Sequence, residues 1–171
     1  LNPSSAASDV YKRQVVELMQ SFLLINSSKS SKQGSSKILI IAPISNNDNL
    51  SMLRLCLVCE DSDWMPTYVG TSTSADEILF SYEQGRCDAL MVVVDQYGDQ
   101  QFLPNELRKI RSLIKDDEIL IFGETLSSYQ DVIKETGFTS INNIGELRLT
   151  LDRLKVLTEF KPVILHAQPE Q

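Results

Sequence analysis

The 171-residue chain holds few side chains that can do chemistry. Three carboxylates, Asp48, Asp95 and Glu124, each fall close after an apolar run. Converging, they would make an acidic pocket for a metal ion; apart, they are solvated loop residues. Cys56 and Cys59 have the C-x-x-C spacing of redox and zinc sites. Zinc takes about four ligands, and the sequence offers no second pair of Cys or His. On an amphipathic helix two cysteines three apart also serve as small hydrophobes, and that reading is preferred. The single histidine, His166, lies in the terminal "HAQPEQ" and reads as a solvated residue. It cannot complete a Ser/His/Asp or Cys/His constellation as general base, so catalysis is not indicated.

These residues must be positioned by elements whose periodicity switches along the chain. "KILIIAPI" (Lys37 to Ile44) is a continuous apolar run, as in a strand buried on both faces of a sheet. "NLSMLRLCLVCEDSDW" follows as a helix with Leu50, Leu53, Leu57 and Cys56 on one stripe. "TYVG" is a short second strand, and "SADEILFSYEQGR" a helix opened by a Ser74/Glu77 capping box. "DALMVVVD" is the third strand. "LPNELRKIRSLIK" places Leu103, Leu107, Ile110 and Ile114 at helical spacing, with Pro104 in the first turn. "EILIFG" is the fourth strand, "SSYQDVIKETG" a helix closed by Gly137, and "TSIN" the fifth strand. The last helix starts near Asn143 and buries Leu147, Leu151 and Leu154.

Strands alternating with helices in this way predict an α/β fold, a doubly wound five-stranded parallel sheet, because each βα step needs a right-handed crossover. Ligands of such sheets bind beyond the carboxyl ends of the strands, where the strand order reverses. The loops to inspect are therefore Ser45 to Ser51, Val94 to Asp99, Gly123 to Ser128 and Asn142 to Glu146. No glycine falls between Ser45 and Ser51, so the phosphate-cradling pattern of dinucleotide folds is absent after the first strand.

Residues 1–14 are set apart from this reading. "SSAASDVYKRQ" (Ser4 to Gln14) resembles the in-frame translation of a transposase adapter used to build sequencing libraries, and residues 1–14 are taken as that artefact. Residues 15–25 read as the end of an upstream helical region. Residues 26–36, with six serines in eleven positions, read as a flexible linker. The α/β domain is placed at 37–160 and a tail at 161–171. The whole chain carries a net charge of -7; Asp9, Lys12 and Arg13 contribute +1, leaving -8 for the rest. An acidic chain without a Lys/Arg cluster is unsuited to neutralising phosphates, so no direct nucleic-acid contact is expected. No apolar run approaches the roughly 20 residues that span a bilayer, and no membrane role is expected. Three cysteines, Cys56, Cys59 and Cys87, suit free thiols in a reducing cytoplasm.

From Lys37 to about Leu157 the chain resembles the cobalamin-binding domain of bacterial regulators, the branch with light- and redox-responsive repressors and antirepressors of photosynthesis genes. The residues that carry the likeness are "IIAPISNNDNLSMLRL", "DSDWMPTYVG", "CDALMVVVD", "ILIFGE" and "ETGFTSI". The resemblance implies a flavodoxin-like sheet and a cobalamin site at positions Asp48, Ser51, Asp95, Gly123 and Glu124. Those positions depart from the family pattern. Asp48 stands where the family has the His that ligates cobalt, and a carboxylate is a hard ligand ill suited to replace imidazole there. Ser51 replaces a glycine where backbone should lie close to the ligand. Asp95 replaces a small hydroxyl residue, and Glu124 replaces the second glycine of a pair, setting a carboxylate against the phosphate of the nucleotide tail. The expectation is a regulatory or sensory module with its cobalamin site lost or altered, acting by protein contact on a transcription regulator or an upstream helical domain. A cobalamin or haem sensor with atypical ligation is the first alternative, and a methyl-transferring or mutase partner, which usually keeps the His, a weaker one.

The other alternative is a receiver domain of response regulators. Asp95 stands at the phospho-acceptor position and Thr125 follows the fourth strand where a Thr or Ser would meet the phosphoryl group. The acidic pair that would hold Mg²⁺ is replaced by Ala42-Pro43, and the fifth strand ends in Ile141-Asn142 without a lysine. Charge developing in phosphoryl transfer would go unneutralised, which leaves at most a pseudo-receiver.

Overall fold

The computed structural model describes residues 6–15, 17, 35–44, 49–71, 74–94, 102–115 and 117–159. Residues 6–15 are helical (α1) and largely exposed. The strands are β1 (Ser36–Ile44), β2 (Trp64–Thr71), β3 (Ala89–Val94), β4 (Glu118–Phe122) and β5 (Thr139–Ile141). Between and after them run α2 (Asn49–Asp61), α3 (Ala75–Gly85), α4 (Leu103–Leu113), α5 (Gln130–Thr136) and α6 (Ile144–Glu159). A 3₁₀ turn, Leu126–Tyr129, leads into α5.

The strands form one sheet in the order β2-β1-β3-β4-β5, every pairing parallel. This is the doubly wound, flavodoxin-like architecture expected from the sequence, with the order reversing between β1 and β3. Side chains alternate across the sheet. Leu39, Ile41, Leu90 and Val92 join α3, α4 and α5 in one core cluster. Ile38, Ile40, Met91 and Val93 join α2 and α6 in the other. Burial on both faces is why β1 and β3 read as unbroken apolar runs, each fully buried Leu or Ile contributing about 1.5–3 kcal/mol.

Local rules explain most boundaries. Ser74 accepts from the Glu77 amide while Glu77 accepts from the Ser74 amide, the reciprocal box that opens α3. Pro104 stands in the first turn of α4, where a missing N–H costs nothing. Gly137 ends α5 at φ 67°, a conformation that favours glycine. Leu103, Leu107, Ile110 and Ile114 are all buried, as are Leu147, Leu151 and Leu154.

Three boundaries and one buried face differ from the sequence reading. Ser36, placed in the linker, instead opens β1, and its hydroxyl lies 2.8 Å from that of Thr158 on α6. The expected α2 stripe of Leu50, Leu53 and Leu57 is only half-buried, whereas Met52, Leu55, Cys56 and Cys59 face the core. With apolar residues on nearly every side of α2, spacing alone could not choose the face. Trp64 belongs to β2 rather than to α2. Asp61 ends the helix, Asp63 takes a left-handed φ of 59°, and Trp64 pairs with Ser36. Its indole Nε1 donates to the Leu151 carbonyl at 3.1 Å, tying β2 to α6. Finally, β5 stops at Ile141, because the Asn142 amide donates to Glu146 Oε2 at 2.8 Å. The expected helix over 15–25 is described only at residues 15 and 17, and residues 26–34 and the tail 161–171 lie outside the described residues.

Candidate functional site

The carboxyl ends of β1, β3, β4 and β5 meet the first turns of α2 and α6 around a cavity of about 590 Å³. This is within the size range of small-molecule sites. Its floor is apolar: Ala42 from β1, Val93 and Val94 from β3, Phe122 from β4, and Met52 and Leu55 from α2. Polar groups gather nearer solvent, with Ser51 and Arg54 on α2 and Glu124 after β4, all exposed.

Asn142 and Asn143 complete the lining but are engaged in capping α6. The Glu146 amide donates to Asn143 Oδ1 at 2.9 Å, and Glu146 accepts from the side-chain amides of Asn142 and Asn143 at 3.2 and 3.0 Å. With the Asn142 backbone N–H as leading cause, these donors hold the Glu146 carboxyl below its usual range. The cap thus ties the end of β5 to the first turn of α6 on this side of the cavity.

Gly123 shapes the base of the site. A Cβ there would stand 2.9 Å from the Val94 carbonyl and 3.0 Å from Leu126 Cδ2, so only glycine lets the end of β4 lie this close to the end of β3. Its amide donates to the Ile141 carbonyl at 3.1 Å, extending the ladder toward β5.

Of the residues singled out from sequence, Ser51, Gly123 and Glu124 come together on this cavity. Asp48 and Asp95 lie outside the described residues, as does His166. Thr125 is exposed at the start of the 3₁₀ turn and makes no side-chain capping bond. Sequence reading missed Arg54, Met52, Leu55 and Phe122. The signal for Phe122 was its place at the carboxyl end of β4; that α2 turns Met52, Arg54 and Leu55 toward the cavity is a tertiary fact with no such signal. Arg54 is also the only basic residue of α2.

The cysteine pair is structural in its surroundings. Cys56 and Cys59 are buried in the α2/α6 core cluster. Burial, with Glu60 adding to it, pushes the Cys56 thiol up to about 11, and burial likewise pushes Cys59 up. Neither thiol is poised as a thiolate ligand or nucleophile. Among the described residues no three of His, Cys, Asp and Glu are grouped so as to hold a metal ion.

The donor set also bears on cobalamin. The described lining offers no imidazole and no thiolate toward the cavity, and its carboxylate, Glu124, belongs to the wrong ligand class for cobalt. The described residues of this cavity do not fit axial ligation of a corrinoid.

No protein-family model matches the chain, and no curated protein matches it. Solved structures share its fold. The chemotaxis protein CheY4 of Vibrio cholerae superposes with a TM-score of 0.51 at 18% identity, covering 71% of this chain and 99% of that one. A pilus assembly-related protein of Burkholderia pseudomallei gives 0.55 at 17% identity, covering 72% and 92%. A cobalamin-binding protein of Desulfitobacterium hafniense gives 0.52 at 12% identity, covering 75% of this chain and 60% of that one. At these identities the likeness establishes the flavodoxin-like fold. Among the described residues no helix is long and apolar enough to cross a membrane.

Proposed function

We propose that this chain carries a regulatory module of the flavodoxin-like fold that acts by binding rather than catalysis, its switch-point rim contacting a protein partner in transcriptional regulation. The observation that carries this reading is the composition of the rim. Ser51, Arg54 and Glu124 present exposed polar groups around an apolar floor, and the described lining contains no histidine and no cysteine. The fold shared with a chemotaxis protein and a cobalamin-binding protein supports a sensory or regulatory role. The partner in this proposal is a transcription regulator or the upstream helical region, met in the cytoplasm, where three free thiols persist. The acidic surface favours a basic protein face and speaks against nucleic acid.

The test is site-specific photo-cross-linking in cells, with the reactive group placed at Glu124 or, as control, at exposed Glu83 on α3. A discrete adduct from position 124 that is absent from position 83 is expected. Equal adducts from both positions would overturn the proposal.

A further inference from the structure

A large apolar side chain exposed singly on a surface needs no explanation, but a group of them does. Among the described residues of the α/β domain, Phe80 on α3 and Phe102 before α4 are single cases, whereas α6 carries three: Leu149 (73% exposed), Val156 (53%) and Leu157 (57%). Leu147, Leu151 and Leu154 set the buried side of α6. At about 100° per residue, Leu149 and Val156 fall on the side directly opposite, nearly two turns apart. Asp152 and Arg153, both exposed, flank this stripe, one on each side. Asp152 has no ion-pair partner among the described residues. Arg153 reaches Glu118 Oε1 only at 3.6 Å, too long for a hydrogen bond, so its guanidinium donors are not committed there.

The order of these four residues is self-complementary. When two copies of α6 lie antiparallel about a two-fold axis between positions 152 and 153, Leu149 of each meets Val156 of the other, and Asp152 of each meets Arg153 of the other. A parallel pairing would instead set Asp152 beside Asp152 and Arg153 beside Arg153, like against like. We infer that the outward face of α6 is a homodimer interface, in which two copies of this chain pair α6 antiparallel with Leu149 against Val156 and Asp152 against Arg153. One helix face is small beside the roughly 1,200–2,000 Å² buried in stable complexes, so the dimer is weak and concentration-dependent. The first turn of α6 lines the switch-point cavity, and antiparallel pairing sends the two cavities to opposite ends of 16-residue helices about 24 Å long. Both rims stay uncovered, and the pairing does not depend on the protein contact proposed above.

The experiment is sedimentation velocity of the full chain from about 10 μM to about 1 mM, a range in which a dimer of this size is expected to reach half occupancy. Leu149→Gln is expected to weaken the pairing about tenfold or more. Asp152→Arg sets arginine against arginine, and Arg153→Glu sets carboxylate against carboxylate, so each variant alone is expected to pair about tenfold more weakly or worse. An equimolar mixture of these two variants is expected to restore the dimer, because every charged contact across the axis is then between opposite signs. All three side chains are exposed, and Leu149→Gln decides the matter even if a charge variant folds poorly. A chain that stays monomeric throughout the range, as when its own residues 160–171 cover the face, would overturn the inference. So would a dimer indifferent to Leu149→Gln, and a mixture that pairs no better than its two components would overturn the antiparallel register.

Discussion

Gly123 and the Val94 carbonyl oxygen meet at the base of the cavity with no room for a Cβ between them, the ideal position lying 2.9 Å from that oxygen. Backbone on both sides leaves little to yield except the strand ends. Gly123→Ala is therefore expected to cost about 1–3 kcal/mol, the range of overpacked cores. A lower urea midpoint at unchanged slope would show it. An unchanged midpoint would mean that the ends of β3 and β4 separate freely.

Two arginines on α4 make opposite predictions from their surroundings. Arg111 donates to the carbonyls of Thr136 at 2.7 Å, Asp117 at 3.1 Å and Ile114 at 3.2 Å, and lies 5.0 Å over the Phe138 ring. One guanidinium thus fixes the end of α4, the turn into β4 and the end of α5. Arg111→Lys cannot reproduce a planar fork and is expected to cost about 1–3 kcal/mol. Arg108 instead pairs with Glu135 at 2.8 Å with both side chains about half exposed (47% and 53%). Arg108→Lys is expected to change stability by less than about 1 kcal/mol. Urea denaturation of the two variants side by side checks the contrast.

The thiols carry a pH dependence of definite sign. Burial raises the folded-state value of Cys56 from 9.0 to about 11, and Cys59 shifts the same way. The unfolded chain loses these protons first on raising the pH. Stability is therefore complete below pH 9.0 and falls as the pH rises toward 11. Replacing both cysteines with alanine should flatten that part of the stability profile. At pH 8 a thiol reagent is expected to label half-buried Cys87 first, and Cys56 and Cys59 only on unfolding.

The receiver alternative makes its own prediction. Mg²⁺ with beryllofluoride, a phosphoryl mimic, is expected to leave the amide spectrum around β1, β3 and β5 unchanged. Ala42 and Ile141 are buried apolar residues at the strand ends where a receiver would offer a metal-binding carboxylate and a lysine. Mg²⁺-dependent shifts there would restore the receiver reading.

The sequence was most informative where one face of an element is plainly polar. On α4 the pattern Leu103, Leu107, Ile110 and Ile114 named the buried face, because Asn105, Arg108, Lys109 and Ser112 occupy the exposed ones, although Glu106 is buried as well. On α2 apolar residues surround the axis, and the buried face follows from which side meets β1 and α6, a tertiary fact. Trp64 was misplaced for a related reason. Asp61-Ser62-Asp63 leaves the helix through a left-handed residue whose φ no spacing rule foretells. At the site, Gly123, Glu124 and Ser51 could be found from topology alone, since each follows a strand's carboxyl end. Arg54 could not, because its relevance depends on how α2 is rotated against β1.

The central claim is that the switch-point site works without a cobalt-ligating residue. An absorbance titration of the full chain with hydroxocobalamin, followed by desalting, tests it most directly, with Asp48→His as the repair control and haem in a parallel sample. The expected result is no corrinoid or haem band in the desalted unmodified protein, with Asp48→His recovering some corrinoid. A corrinoid spectrum retained by the unmodified chain would contradict the claim and make this a cobalamin sensor with atypical ligation.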